Sequence, residues 1–318
     1  MRAERTTGPA VAEEERLARV RLALTVEPGH PGIAAAVAAR GACEVVDRLR
    51  GDPALLDAPE AAGDLRGRRA EEVLEQARAS GVRYLVPGDT EWPGSLADLD
   101  TCEVAEPVQG CRGAPLGLWV RGPHDLRGLA RSVAVVGSRS ATAYGDQVAA
   151  DIAAGCAGAG VPVVSGAAFG IDVAAHRGAL AGGGATVAVL ACGVDRVYPK
   201  AHAGLLEHLA ATAAVVSESP PGAQPLRHRF LARNRLIAAL TTGTVVVEAA
   251  FRSGALNTAN WARQILRPVM AVPGPVTSPA SQGTHELVRN QGAVLVTSAA
   301  HVLEVVSPAG ERLVPLRG

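Results

Sequence analysis

Lysine is almost absent: Lys200 is the only one in 318 residues. It stands in "VYPKAH", so the sequence cannot build a P-loop, whose Gly-Lys-Ser/Thr grips the β- and γ-phosphates of ATP. A Walker-type ATPase is excluded. Net charge is absent too, since 31 basic residues balance 31 acidic ones. With no global field toward nucleic acid or membrane, any electrostatic argument must be local. Aromatics make up only 3% of the chain, so an aromatic inside a basic run carries information. None of the five cysteines, Cys43, Cys102, Cys111, Cys156 and Cys192, forms a Cys-x-x-Cys pair. They read as reduced, mostly buried thiols. The opening "MRAERTTGPAVAEEERLARV" has charges where a signal peptide needs an apolar stretch, and no run approaches membrane-span length. The expectation is a soluble, cytoplasmic protein.

What is abundant is alanine, glycine and short β-branched runs, within a chain that is 48% hydrophobic. That content supports one sizeable core plus a smaller unit. From Val133 onward the runs "VAVVG", "VPVVSG", "TVAVLACG", "AAVVSES", "TVVVEAA", "PVMAVPG" and "AVLVTS" are separated by stretches with room for a helix. They are apolar nearly throughout rather than alternating, as strands covered on both faces are. The pattern predicts an α/β fold, a doubly wound and mostly parallel sheet. Gly, Ser or Pro closes most of these strands, so the ligand site is expected along that edge.

Residues 1–80 read as a small helical domain, with helices around Ala12–Thr25, Gly32–Leu49 and Gly67–Ser80. Residues 81–115 read as a connector lying along the larger domain, residues 116–306 as that domain, and 307–318 as a tail.

The first turn of the sheet, "VAVVGSRSATAYG", places Gly137, Ser138 and Arg139 where a dinucleotide enzyme has further glycines. No nucleotide cofactor is expected. Instead, Ser138, Arg139 and Ser140 at one helix N-terminus, and Ser165 and Gly166 before another, suit phosphate oxygens. A salt bridge closing the turn is the competing role for Arg139. In "PPGAQPLRHRFLARNRLIAAL", Arg227, Arg229, Arg233 and Arg235 fall together without an acid, around Phe230. Bases of single strands stack on aromatic faces while arginines hold phosphates, though a solvated basic face with a packed Phe230 accounts equally for these residues. Lys200 and His202 follow a Tyr-Pro turn from which they could reach such a strand, although an exposed lysine is usually just solvated.

These motifs, with "VVSGAAFGIDVAAHRGAL", "SESPPG", "VVVEAAFRSGALNTANWA" and "VMAVPGPVTSPASQGTHELVRNQGA" in the same order, resemble the DNA-processing protein A family, also called Smf. The resemblance spans about residues 80–305. It implies an extended Rossmann-like domain that forms a homodimer, binds single-stranded DNA and helps load the RecA recombinase in natural transformation, without catalysis or cofactor. Carried over, the phosphate pocket is Gly137, Ser138 and Arg139 with Ser165 and Gly166. The basic residue before the aromatic is Arg227, the aromatic is Phe230, and the Arg-Asn-Arg is Arg233, Asn234 and Arg235. Asn257 stands where the family usually has an apolar residue and His285 where it has asparagine; both are expected to lie outside the DNA pocket. Many members carry a C-terminal winged helix, and none is expected within these 318 residues. The rival reading is a nucleoside-monophosphate phosphoribohydrolase of the "lonely guy" class, resting on Gly243, Thr244 and Glu248. The spacing there is one residue too long and the paired glycines are missing, so Glu248 is expected to pair with an arginine of the Phe230 helix instead.

Overall fold

The computed structural model describes residues 11–52, 69–102 and 110–307. Residues 308–318 of the expected tail, 103–109 of the connector, and 1–10 and 53–68 of the expected helical domain lie outside these residues. Among the described residues four helices come first: α1 (Glu13–Thr25), α2 (Pro31–Arg40), α3 (Ala42–Gly51) and α4 (Arg69–Ala79). The single helix expected over Gly32–Leu49 is two, because Gly41 adopts φ 80°, which an L side chain rarely tolerates, and turns the chain between them. Leu22, Ile33, Val37, Val46 and Leu49 form a core of their own under α1–α3.

Nine strands among the described residues then make one sheet: β1 (Val82–Leu85), β2 (Leu118–Arg121), β3 (Val133–Val136), β4 (Val163–Ser165), β5 (Thr186–Val189), β6 (Ala214–Ser217), β7 (Gly243–Val246), β8 (Val269–Ala271) and β9 (Val294–Leu295). Their order is β1-β2-β6-β5-β4-β3-β7-β8-β9. Pairings from β6 through β9 are parallel, as the apolar runs predict. β1 and β2 add an antiparallel margin that the sequence reading missed. Part of the expected connector is thus an edge strand, held by the tilted contact of Tyr84 with the fully buried Trp119 at 4.3 Å.

Helices cover both faces: α5 (Ala143–Gly158), α6 (Ile171–Ala181) and α11 (Ala299–Val306) on one, α8 (Arg227–Leu240), α9 (Ala255–Gln264) and α10 (Gln282–Gln291) on the other. α7 (Ala203–Thr212) lies beside β5 and β6. The alternation along β3 shows why its residues are apolar throughout. Val133 and Val135 pack with Ile152 and Ile171, while Ala134 and Val136 pack with Leu236 and Trp261. No described helix is long and apolar enough to cross a membrane.

Candidate nucleic-acid interface

β3 stands where the strand order reverses, with β4 on one side and β7 on the other. Open α/β sheets bind ligands outside the carboxyl ends of their strands at such a point. A groove of about 1140 Å³ opens there. Its lining includes Ser138–Ser140 after β3, residues 250–258 and Asn260 after β7, and Arg227, Phe230, Arg233 and Asn234 of α8.

The turn after β3 is held by its neighbours. The Ser138 N–H donates to the Glu248 carbonyl at 2.7 Å, and the Ile171 N–H donates to the Ser138 carbonyl at 3.2 Å. Gly137 has to be glycine, because a Cβ would stand 2.5 Å from Ile171 Cγ1 and 2.8 Å from the Glu248 oxygen. This fixed turn projects Arg139 outward, where it makes no ion pair with any described residue. Its guanidinium carbon lies 4.9 Å from the centre of the Phe230 ring. Arg233 approaches the same ring at 6.0 Å, and Tyr198 completes the cluster with its centroid 5.6 Å away. The salt-bridge role for Arg139 is replaced by a cation–π contact, worth about 0.5–1 kcal/mol at exposed sites.

Arg233 and Gly166 meet beneath this cluster. The Arg233 side chain is almost wholly buried and donates to the Gly166 carbonyl at 2.8 Å and to the Val189 carbonyl. A Cβ at Gly166 would sit 2.3 Å from the guanidinium, so glycine makes the room. Burial pushes the Arg233 pKa down to about 10, opposed by Asp172 and reinforced by the like charge of Arg139. Arg233 still carries its proton at neutral pH, and the two cations repel across a single ring. Burial likewise raises the Asp172 carboxyl above its usual range, against the pull of Arg233 and of the backbone N–H groups of Ala168 and Gly166.

Several expected contacts are made differently. Ser165 is fully buried and its hydroxyl donates to the Val135 carbonyl at 2.7 Å, so it builds the strand end and offers nothing to a phosphate. Arg235 is also fully buried, in a two-pronged pair with Glu218 and a 3.0 Å bond to the Gly113 carbonyl. It faces away from the groove into the protein. Arg229 is taken by Glu27, which it grips through Nε at 2.7 Å and Nη2 at 2.6 Å. Glu248 pairs with no arginine; its carboxylate accepts from the Thr142 N–H at 2.9 Å and hydroxyl at 2.6 Å. An acid therefore already occupies the N-terminus of α5, which leaves Arg139, Ser138 and Ser140, rather than helix amides, to meet a ligand. His202 is buried against the Ala167 carbonyl and the Phe169 ring. His285 contacts the Gly274 carbonyl, but Asn257, expected outside the pocket, lines the groove beside Asn234 at 3.2 Å.

The sequence reading did not single out Tyr198, Phe251, Arg252 or Asn260, all of which line the groove. For two of them a signal existed: "AAFRSG" places an aromatic next to an arginine just past a strand.

The family model for DNA recombination-mediator protein A matches residues 83–307. A Mycobacterium tuberculosis protein that carries the DprA name is 48% identical over 292 residues, 91% of this chain and 75% of its own length. Protein Smf of Escherichia coli is 40% identical over 225 residues, 70% of this chain and 56% of that one. DNA processing protein A of Streptococcus pneumoniae superposes with a TM-score of 0.71 at 30% identity, covering 92% of this chain and 97% of that one. The same protein from Helicobacter pylori, whose structure addresses its single-stranded DNA binding mode, gives a TM-score of 0.60 at 25% identity over 70% of this chain and 94% of that one.

Proposed function

The chain belongs to the DNA recombination-mediator protein A family, and from that premise we propose that its groove holds single-stranded DNA for delivery to a RecA recombinase. The observation that carries the reading is the Arg139–Phe230–Arg233 cluster, where two cations flank one half-buried aromatic and the exposed Arg139 has no ion-pair partner among the described residues. A phosphate brought to Arg139 relieves that repulsion, and an unpaired base finds the aromatic faces of Phe230 and Tyr198. Stacking on such faces is sequence-tolerant and contributes about 1–3 kcal/mol per base. A paired base cannot supply it.

The start of α8 adds a second attraction. Arg227 opens the helix, and Leu226 before it supplies no side-chain cap. Glu27 already pairs with His228 and Arg229 in this first turn, which leaves the exposed Arg227 to meet an added anion. The RecA step rests on family membership. The phosphoribohydrolase reading loses its carboxylate, since Glu248 is buried and bonded to Thr142. The family's description is that of a recombination mediator rather than of an enzyme.

Two copies are proposed to act together. β9 ends the sheet with Val294 and Leu295 both exposed, at 44% and 50%. Such an unpaired apolar edge is a template for another chain, and two grooves on one strand gain avidity that a neutral protein needs.

Titration with one oligonucleotide, its duplex and AMP, all without ATP, tests the reading. Preference for the single strand by about tenfold or more is the expected result, given the stacking contribution. Equal or tighter duplex binding overturns it, and release of adenine from AMP restores the enzyme.

A further inference from the structure

The segment after β7 carries the most exposed aromatic side chain among the described residues, Phe251 at 65%. Arg252 follows it, exposed and without an ion-pair partner among the described residues. Both line the same groove as Arg139 and Phe230, but they hang from the end of β7 rather than from β3 and α8. The groove therefore has two aromatic–arginine pairs on different elements, with the amides of Asn234, Asn257 and Asn260 also in its lining.

Resting on the single-strand reading above, we propose that Phe251 and Arg252 form a second nucleotide subsite, one that stacks a base and holds a phosphate beyond those bound at Phe230.

Three observations converge on it. At about 1140 Å³ the groove exceeds the ~300–1,000 Å³ that encloses one drug-sized ligand, so it has room for more than one nucleotide. An exposed phenylalanine keeps apolar surface in water, whereas a base covering its ring removes that surface from solvent. The cation beside it matches the spacing logic of single-strand sites, where charge tracks the backbone and rings alternate with it. Because Phe251 projects from a loop and packs into no core, its removal leaves the fold intact.

The experiment is an oligonucleotide length series read by fluorescence anisotropy on Phe230→Ala, Phe251→Ala, Phe251→Trp and Arg252→Ala proteins. Phe251→Ala should weaken long oligonucleotides by about tenfold while leaving the shortest bound species unchanged, and Phe251→Trp should restore the affinity. An abasic nucleotide scanned along the strand should erase the Phe251 effect at one position only. Arg252→Ala should lower the salt dependence by about one single-strand contact, roughly 0.7 in slope. If Phe251→Ala and Arg252→Ala bind every length like wild type while Phe230→Ala is weakened, the second subsite is refuted and the single-strand reading stands. If wild type binds no single strand, both fall.

Discussion

The guanidinium of Arg139 stacks on the ring of Phe230, 4.9 Å from its centre. The residue proposed to hold phosphate and the residue proposed to hold a base therefore touch before any strand arrives. Their contributions differ in kind. Arg139→Ala should weaken every sequence alike and reduce the salt slope by roughly 0.7, one single-strand contact. Phe230→Ala should cost about 1–3 kcal/mol of binding with the slope nearly unchanged. A salt titration of both variants checks this. An Arg139→Ala protein with wild-type slope contradicts the phosphate role.

Arg235 should behave as a structural residue despite its place in the basic run. Its pair with Glu218 is fully enclosed, and breaking such a pair leaves one charge buried alone. Arg235→Ala should cost about 3–5 kcal/mol of stability. Measured on whatever fraction stays folded, the salt slope of DNA binding should not change. Urea denaturation with a parallel salt titration separates the two effects.

Acid should destabilise the protein through His176. Burial holds its pKa down to about 3, with Nδ1 at 2.7 Å from the Thr186 hydroxyl. The unfolded chain binds this proton near pH 6.5 and the folded one does not, so the histidine costs nothing above that pH. Between pH 6.5 and about 3 it costs up to about 1.4 kcal/mol per unit. His176→Gln should flatten that part of the stability–pH curve. An unchanged acid slope in the variant would refute the assignment.

The α5 N-terminus should weaken without Thr142. Its hydroxyl accepts from the Gly145 N–H at 3.2 Å while donating to Glu248, so Thr142→Ala removes a cap and orphans a buried carboxylate oxygen. A loss of about 1–2 kcal/mol is expected, read by thermal melting. A wild-type melting temperature would contradict it.

The parallel strands were legible because burial on two faces leaves no alternation to confuse them. β1 and β2 were not, since "VRYL" and "LWVR" are four residues each and carry arginines that find distant partners. Arg83 bonds the Gly122 and His124 carbonyls, and Arg121 pairs with Glu207. The turn at Gly137 and the Phe230 cluster were visible as motifs. What the basic run hid was direction. At about 100° per residue, the arginines of α8 fan around the helix: Arg227 lines the groove, Arg229 reaches Glu27, Arg233 sinks beneath Gly166 and Arg235 meets Glu218. Proximity in sequence had grouped what the helix separates. Ser165 misled for a similar reason, because only the register of β4 turns its hydroxyl toward Val135.

The central claim is that a single strand lies in the groove at the ends of β3 and β7. Photocrosslinking an oligonucleotide with halogenated uracils, followed by mass spectrometric mapping, tests this most directly. The account predicts adducts on the peptides carrying Tyr198, Phe230 and Phe251, lost when excess unlabelled single strand is added and kept with excess duplex. Adducts confined to α1–α4, or on the groove but competed equally by duplex, would contradict it.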